Sequence, residues 1–141
     1  MKLRNVGLIV EVIVASLIFT LLLLNLTGNI MFAVVEGKSM EPLLQTGDLV
    51  LVVKTSPNDI HVGDIVVYKR PGGELVIHRV LKIDKVGNEY MYFIKGDNNP
   101  LPDGDIPYSW ILGKVVGING NVFKVPVLGY LTLGLKSILG K

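Results

Sequence analysis

"ELVIHRVLKI", residues 74–83, is rich in β-branched side chains and contains no proline or glycine. Read with the period of two that a pleated strand imposes, it sets Val76, His78 and Val80 on one face and Leu75, Ile77, Arg79 and Leu81 on the other. On either side the same grammar recurs in "DLVLVVKT" (48–55), "GDIVVYKR" (63–70), "EYMYFIK" (89–95) and "GKVVGIN" (113–119), with Gly, Pro, Asn and Asp between the runs. Pro71-Gly72-Gly73 and Val86-Gly87-Asn88 join neighbouring runs through short polar turns, as hairpins require. A mainly β fold, an antiparallel sheet, is predicted. "TGDLVLV" (46–52) and "VGDIVVY" (62–68) share a turn-then-strand spelling. Two copies of so short a unit do not make a repeat architecture, and both are read as turns.

Ahead of this region stands "VGLIVEVIVASLIFTLLLLNL", Val6 to Leu26, 21 residues long. That is close to the ~20 needed to cross a bilayer. Its length, and the lack of a small-residue cleavage pattern after it, favour a retained anchor over a removable signal peptide. Lys2, Arg4 and the amino terminus precede the span, so the positive-inside rule keeps that end cytoplasmic and puts the rest on the exported side. A single spanning segment is expected. The tail from Val125, "VPVLGYLTLGLKSILGK", is apolar for too short a distance to span; it reads as an interfacial segment or as an element packed on the sheet. The expected organisation is residues 1–27 as cytoplasmic end and anchor, 28–124 as the β domain, and 125–141 as the apolar tail.

The chain has 141 residues, enough for one domain with a core and too few for two of ordinary size. Half of them are hydrophobic and only 18% are charged, so some of the surface is expected to meet lipid. With 14 basic and 12 acidic residues the net charge is +2, which offers nucleic acid no electrostatic footprint. The absence of cysteine removes disulfides, thiol catalysis and thiolate metal sites. Two histidines and no acidic cluster at ligand spacing give no reason to expect a metal or another cofactor.

"EGKSMEPLLQTGDLV", residues 36–50, follows the span and holds Ser39. A serine among Gly and Pro serves a turn, or it is a nucleophile, and a nucleophilic hydroxyl needs a base to take its proton. His61, among turn residues, reads as a solvated loop side chain. His78, between two valines on a strand face, is either a satisfied core histidine or a partly desolvated, neutral imidazole able to act as base. Lys69, Lys82, Lys85 and Lys95 are alternative bases only if buried, and no strand pattern forces their burial. The loop "KGDNNPLPDGDIPYS" (95–109) supplies Asp97, Asp103 and Asp105, which serve turns or orient a base. The acids do not have the spacing of a calcium loop.

Taken together and in order, "GKSMEP" (37–42), "IHRV" (77–80) and "KGDNN" (95–99) with the further Asp103 resemble the boxes of type I signal peptidases of the archaeal and endoplasmic-reticulum kind. "GDIVVYKR" resembles that family too, and the likeness runs from the anchor to about residue 120. Where the bacterial branch has a lysine as base, this sequence has His78. The resemblance implies a signal-peptidase-like β domain and a membrane-bound serine endopeptidase that removes signal peptides from secretory pre-proteins at small-residue sites. It implies Ser39 as nucleophile and His78 as general base and acid. Asp103, six positions after Asp97, is the acid expected to orient His78, and Asp97 either contributes directly or holds the loop. The setting implied is the cell membrane, or the endoplasmic-reticulum membrane in a eukaryote. The endoplasmic-reticulum relatives work with additional subunits; this chain is expected to act alone. The rival readings are a membrane-anchored, non-catalytic β domain that binds or scaffolds, and a Ser-Lys autoprotease of the repressor type, against which the span counts.

Overall fold

The computed structural model describes residues 2–118, 121–126 and 134. Helix α1 (Lys2–Leu26) is followed by β1 (Ile30–Val34), β2 (Leu49–Val53), β3 (Ile65–Lys69), β4 (Leu75–Val86), β5 (Glu89–Lys95), β6 (Gly104–Pro107), β7 (Ile111–Val115), β8 (Gly117–Ile118), β9 (Asn121–Val122) and β10 (Lys124–Val125). The chain divides into two compact units, residues 1–31 and 32–141. In the first, α1 runs for 25 residues, about 37 Å at 1.5 Å per residue. Its stretch Val6–Leu26 is long and apolar enough to cross a membrane, and its large apolar side chains other than the half-buried Leu21 are exposed. Apart from Val125, Pro126 and Gly134, the apolar tail lies outside the described residues.

The second unit is an antiparallel sheet in the order β1-β2-β7-β3-β4-β5-β6, with β10 also pairing β2; β8 and β9 form a small ribbon. β3, β4 and β5 are consecutive hairpin neighbours, joined by the two turns that the sequence spells. The β4–β5 turn closes on Gly87 and Asn88, between the paired residues Val86 and Glu89. From Pro107 the chain passes through a single turn of 3₁₀ helix, Tyr108–Trp110, into β7, which lies on the other side of β3. In a flat sheet that crossing would cover four strand spacings, about 19 Å. Four residues reach at most about 14 Å, so the sheet is strongly coiled.

Burial follows from this curl. In β3 Ile65, Val66, Val67 and Tyr68 are all buried, an uninterrupted apolar run suited to a strand covered on both faces. β4 alternates instead, with Val76, His78 and Val80 buried between half-buried neighbours. Val76 and Val80 join Ile60, Val66, Tyr68, Tyr92, Ile94 and Ile106 in one core, each worth about 1.5–3 kcal/mol on burial. His78 is therefore held in the wall of that core.

The two similarly spelled turns share far more than a turn. Gly47 and Gly63 have φ of 92° and 95°, where a side chain would be strained. The Gly47 N–H donates to Val35 O and the Val35 N–H to Asp48 O, both at 2.9 Å; Gly63, Asp64 and Val80 repeat the pair at 2.8 Å. Asp48 Oδ2 accepts from the Gln45 N–H at 2.9 Å, and Asp64 Oδ2 from the His61 N–H at 2.8 Å. A lysine from a distant strand completes each frame. Lys124 Nζ donates to Asp48 Oδ2 (2.7 Å) and Leu43 O (2.8 Å), while Lys114 Nζ donates to Asp64 Oδ2 (3.1 Å) and Asp59 O (3.0 Å). The strand register matches as well, Lys124 opposite Val50 and Lys114 opposite Val66. The sheet thus contains two copies of one latched turn-strand unit, the first of which carries the segment after Ser39.

The Asp48 side chain is 5% exposed and that of Asp64 26%, so the first latch sits in the drier place. Asp48→Ala is expected to lower the unfolding free energy by about 2–3 kcal/mol, and Asp64→Ala by about 1 kcal/mol. Thermal unfolding of the full chain in detergent micelles measures both; a larger loss at Asp64 would show that burial does not set the strength of these latches.

Candidate active site

Ser39 lies in the turn between β1 and β2 and is half-buried. Its neighbour Met40 is 1% exposed and Leu44 fully buried, so two apolar anchors fix the turn from below. Within it the Glu41 N–H donates to Lys38 O (3.1 Å) and the Leu44 N–H to Met40 O (2.9 Å). From the other side the β5–β6 loop reaches over. The Asn98 N–H donates to Ser39 O at 2.8 Å, and Asn98 Nδ2 donates to Lys38 O at 3.1 Å. Asn98 therefore clamps two consecutive carbonyls of the serine segment.

His78 comes from β4 by the period-two geometry and is 3% exposed. Its Nδ1 is hydrogen-bonded to Asp103 Oδ2, and the Tyr68 ring stands edge-on to the imidazole, centroids 6.4 Å apart. Asp103 reaches this position because the loop returns to the end of β5, where the Asp103 N–H donates to Ile94 O (2.9 Å) and Gly104 pairs with Ile94. The second oxygen of the same carboxylate, Oδ1, accepts from Arg70 Nη2 at 2.5 Å.

The free ring nitrogen of His78 faces the serine segment across Gly96. A Cβ on Gly96 would lie 2.7 Å from Ser39 O, 2.8 Å from His78 Nε2 and 2.9 Å from Asn99 Cγ. The serine backbone and the imidazole thus share one gap that glycine alone leaves open. Among the described residues no direct Ser39 Oγ–His78 Nε2 hydrogen bond is present.

Asp97 faces the other way. Both of its oxygens are taken by Arg79, from Nε at 2.8 Å and Nη2 at 2.7 Å, and Arg79 Nη1 also donates to Gly63 O at 2.8 Å. It makes no hydrogen bond to His78. Asp105 is exposed in β6. His61 is a solvated loop side chain, 72% exposed. Lys69, Lys82 and Lys85 are exposed and Lys95 half-buried, so none meets the burial that a lysine base requires. A cleft of about 520 Å³ lined by Val53, Asp64, Arg79 and Lys114 includes neither Ser39 nor His78. Among the described residues no cluster of His, Asp and Glu has the arrangement of a metal site.

Tyr68 is fully buried, and its hydroxyl has no hydrogen-bond partner among the described residues. Burial, followed by the negative charge of Asp103, pushes its ionisation well above the ordinary tyrosine range, so it stays a neutral phenol. Sequence reasoning missed Arg70, Gly96 and Asn98. All three stood in recognised boxes, "KGDNN" and "GDIVVYKR", with no role attached, and nothing in the spelling distinguishes Arg70 from a solvated turn residue.

Comparison with known proteins places the chain among relatives. The family model described as Peptidase S24-like matches residues 9–116. The signal peptidase complex catalytic subunit SEC11 of Schizophyllum commune is 32% identical over 127 residues, covering 72% of this chain and 63% of the relative. The human signal peptidase complex catalytic subunit SEC11C is 32% identical over 117 residues, covering 79% and 60%. An uncharacterized protein of Methanocaldococcus jannaschii is 28% identical over 167 residues, covering 73% and 82%. The chain spans somewhat less than two thirds of the length of the two SEC11 relatives. With more than half of its length matched, this chain belongs to the Peptidase S24-like family.

Proposed function

We propose that this chain is a membrane-bound signal peptidase, a serine endopeptidase that removes N-terminal signal peptides from exported pre-proteins at small-residue cleavage sites. The observation that carries this reading is the juxtaposition at Gly96: an imidazole oriented through Nδ1 by a carboxylate turns its other nitrogen to the gap shared with Ser39. The family and the names of its relatives supply the substrate class.

In this reading Asp103 holds the His78 tautomer that carries its proton on Nδ1, which leaves Nε2 free to accept. Ser39 Oγ attacks the scissile carbonyl carbon and gives its proton to Nε2. As the C–N bond breaks, His78 passes that proton to the leaving amine, and an acyl-enzyme remains on Ser39. Water then attacks the ester, gives a proton to Nε2, and Ser39 Oγ leaves with it. The Ser39 N–H is the first donor to the developing oxyanion. Asp97 acts through Arg79, tying the β5–β6 loop, and hence the Asn98 clamp, to β4 and to the Gly63 turn. The span lies in the cell membrane, or the endoplasmic-reticulum membrane in a eukaryote, with the amino terminus cytoplasmic. Residues 28–124 form the catalytic domain on the exported side, beside lipid and the extended end of a signal peptide. Neither a metal nor another cofactor takes part in this mechanism.

The test is direct. The full chain reconstituted in liposomes is mixed with a labelled pre-protein and the mature product sequenced from its amino terminus. Cleavage after a small residue is expected. A pre-protein that binds and stays intact would instead favour a non-catalytic anchored domain.

A further inference from the structure

We propose that Arg70 is a positioning residue for this reaction, holding the Asp103 carboxylate in place and setting a positive charge against its far oxygen; this rests on the Ser39–His78–Asp103 reading. The carboxylate is held by two cationic-capable side chains on different oxygens: His78 on Oδ2 and Arg70 on Oδ1. Asp103 has little water to help it, its side chain being 9% exposed, while Arg70 is 38% exposed.

Arg70 is itself fixed at the β3–β4 hairpin. Its N–H donates to Glu74 O (2.9 Å), its carbonyl accepts from the Gly73 N–H (2.8 Å), and Nη1 donates to Glu74 Oε2 at 2.9 Å. One planar guanidinium therefore joins the hairpin tip to the active carboxylate through two of its nitrogens, a geometry that lysine does not offer. The Tyr68 hydroxyl lies in the same buried surroundings, beside Asp103 and Arg70, and is held neutral by burial and by Asp103. It cannot cancel the carboxylate charge; Arg70 can.

A lone carboxylate at Nδ1 favours the imidazolium, which cannot accept the serine proton; a guanidinium on the far oxygen opposes that preference. The other charged and titratable groups around His78 do not substitute for Arg70. Glu74 is engaged by Arg70, and Asp97 by Arg79. Lys114, across Val66 in the sheet register, is engaged by Asp64. Tyr68 is neutral, Lys95 pairs in register with Arg79, and Lys38 is exposed.

The experiment measures kcat/KM for pre-protein cleavage against pH, with the full chain in liposomes, for the wild type, Arg70→Gln, Arg70→Lys and Asp103→Asn. In Arg70→Gln the acidic limb of the profile is expected to move to higher pH by about one unit, a value already reduced for the part-exposed guanidinium. Arg70→Lys, with its charge kept and its fork lost, is expected to leave the limb in place while kcat falls about tenfold. An unmoved limb in Arg70→Gln, or in Arg70→Lys a limb displaced as far as expected for glutamine, would overturn the proposal even if Arg70→Gln proved too unstable to assay. Failure of the underlying reading is distinguishable: Asp103→Asn would then retain wild-type cleavage.

Discussion

Alanine at Ser39 and alanine at His78 are each expected to lower kcat/KM for pre-protein cleavage by about five orders of magnitude, and the double variant by no more than either alone. The expectation of equal, non-additive losses follows from the division of labour. An unactivated hydroxyl is a poor nucleophile, and an imidazole with no hydroxyl beside it has nothing to deprotonate. Removing either leaves only substrate binding and the oxyanion donors. Full-chain variants in liposomes, compared by single-turnover cleavage and by far-ultraviolet circular dichroism, separate lost chemistry from lost fold. Losses that add, or wild-type cleavage by either variant, would show that the two side chains do not work as a unit. His78→Lys is expected to recover nothing. An ammonium next to Asp103 is favoured in its charged form, and the charged form cannot take a proton.

The β class, the β2 to β5 runs and both hairpin turns were legible because each depends on neighbours in sequence. Val76, His78 and Val80 fell on the buried face because a period of two is a local property of the strand. The insertion of β7 between β2 and β3 was not legible, since a pairing over that separation is selected by the curl of the whole sheet. The same limit explains the acids. Asp97 and Asp103 lie in one irregular loop, and only its return to Ile94 decides that Asp103 meets His78 while Asp97 meets Arg79. The two glycine-aspartate turns spelled half of each latch; the lysines that complete them, Lys124 and Lys114, come from strands remote in the chain. Arg70 was hidden for a related reason. In "KRPGG" an arginine reads as turn surface until the hairpin and the β5–β6 loop are brought together.

Gly96→Ala is expected to reduce kcat by about a hundredfold or more, a large effect for a single methyl group that takes no part in the chemistry. Its cause is space rather than backbone strain, because Gly96 is not among the glycines with positive φ. The added carbon would stand 2.7 Å from Ser39 O and 2.8 Å from His78 Nε2, well inside van der Waals contact for both. Neither neighbour yields freely. Ser39 O is already held by the Asn98 N–H at 2.8 Å, and His78 is buried on the strand face it shares with Val76 and Val80, with Asp103 on its far nitrogen. The methyl group is thus expected to drive the serine segment and the imidazole apart, and proton transfer between them depends steeply on their separation. Gly72→Ala provides the control: that glycine sits at the exposed hairpin tip with nothing within 4 Å of its Cβ position, and alanine there is expected to leave kcat unchanged. Measured side by side, a Gly96→Ala enzyme with wild-type kcat would mean that the gap between Ser39 and His78 is not the place where the proton passes.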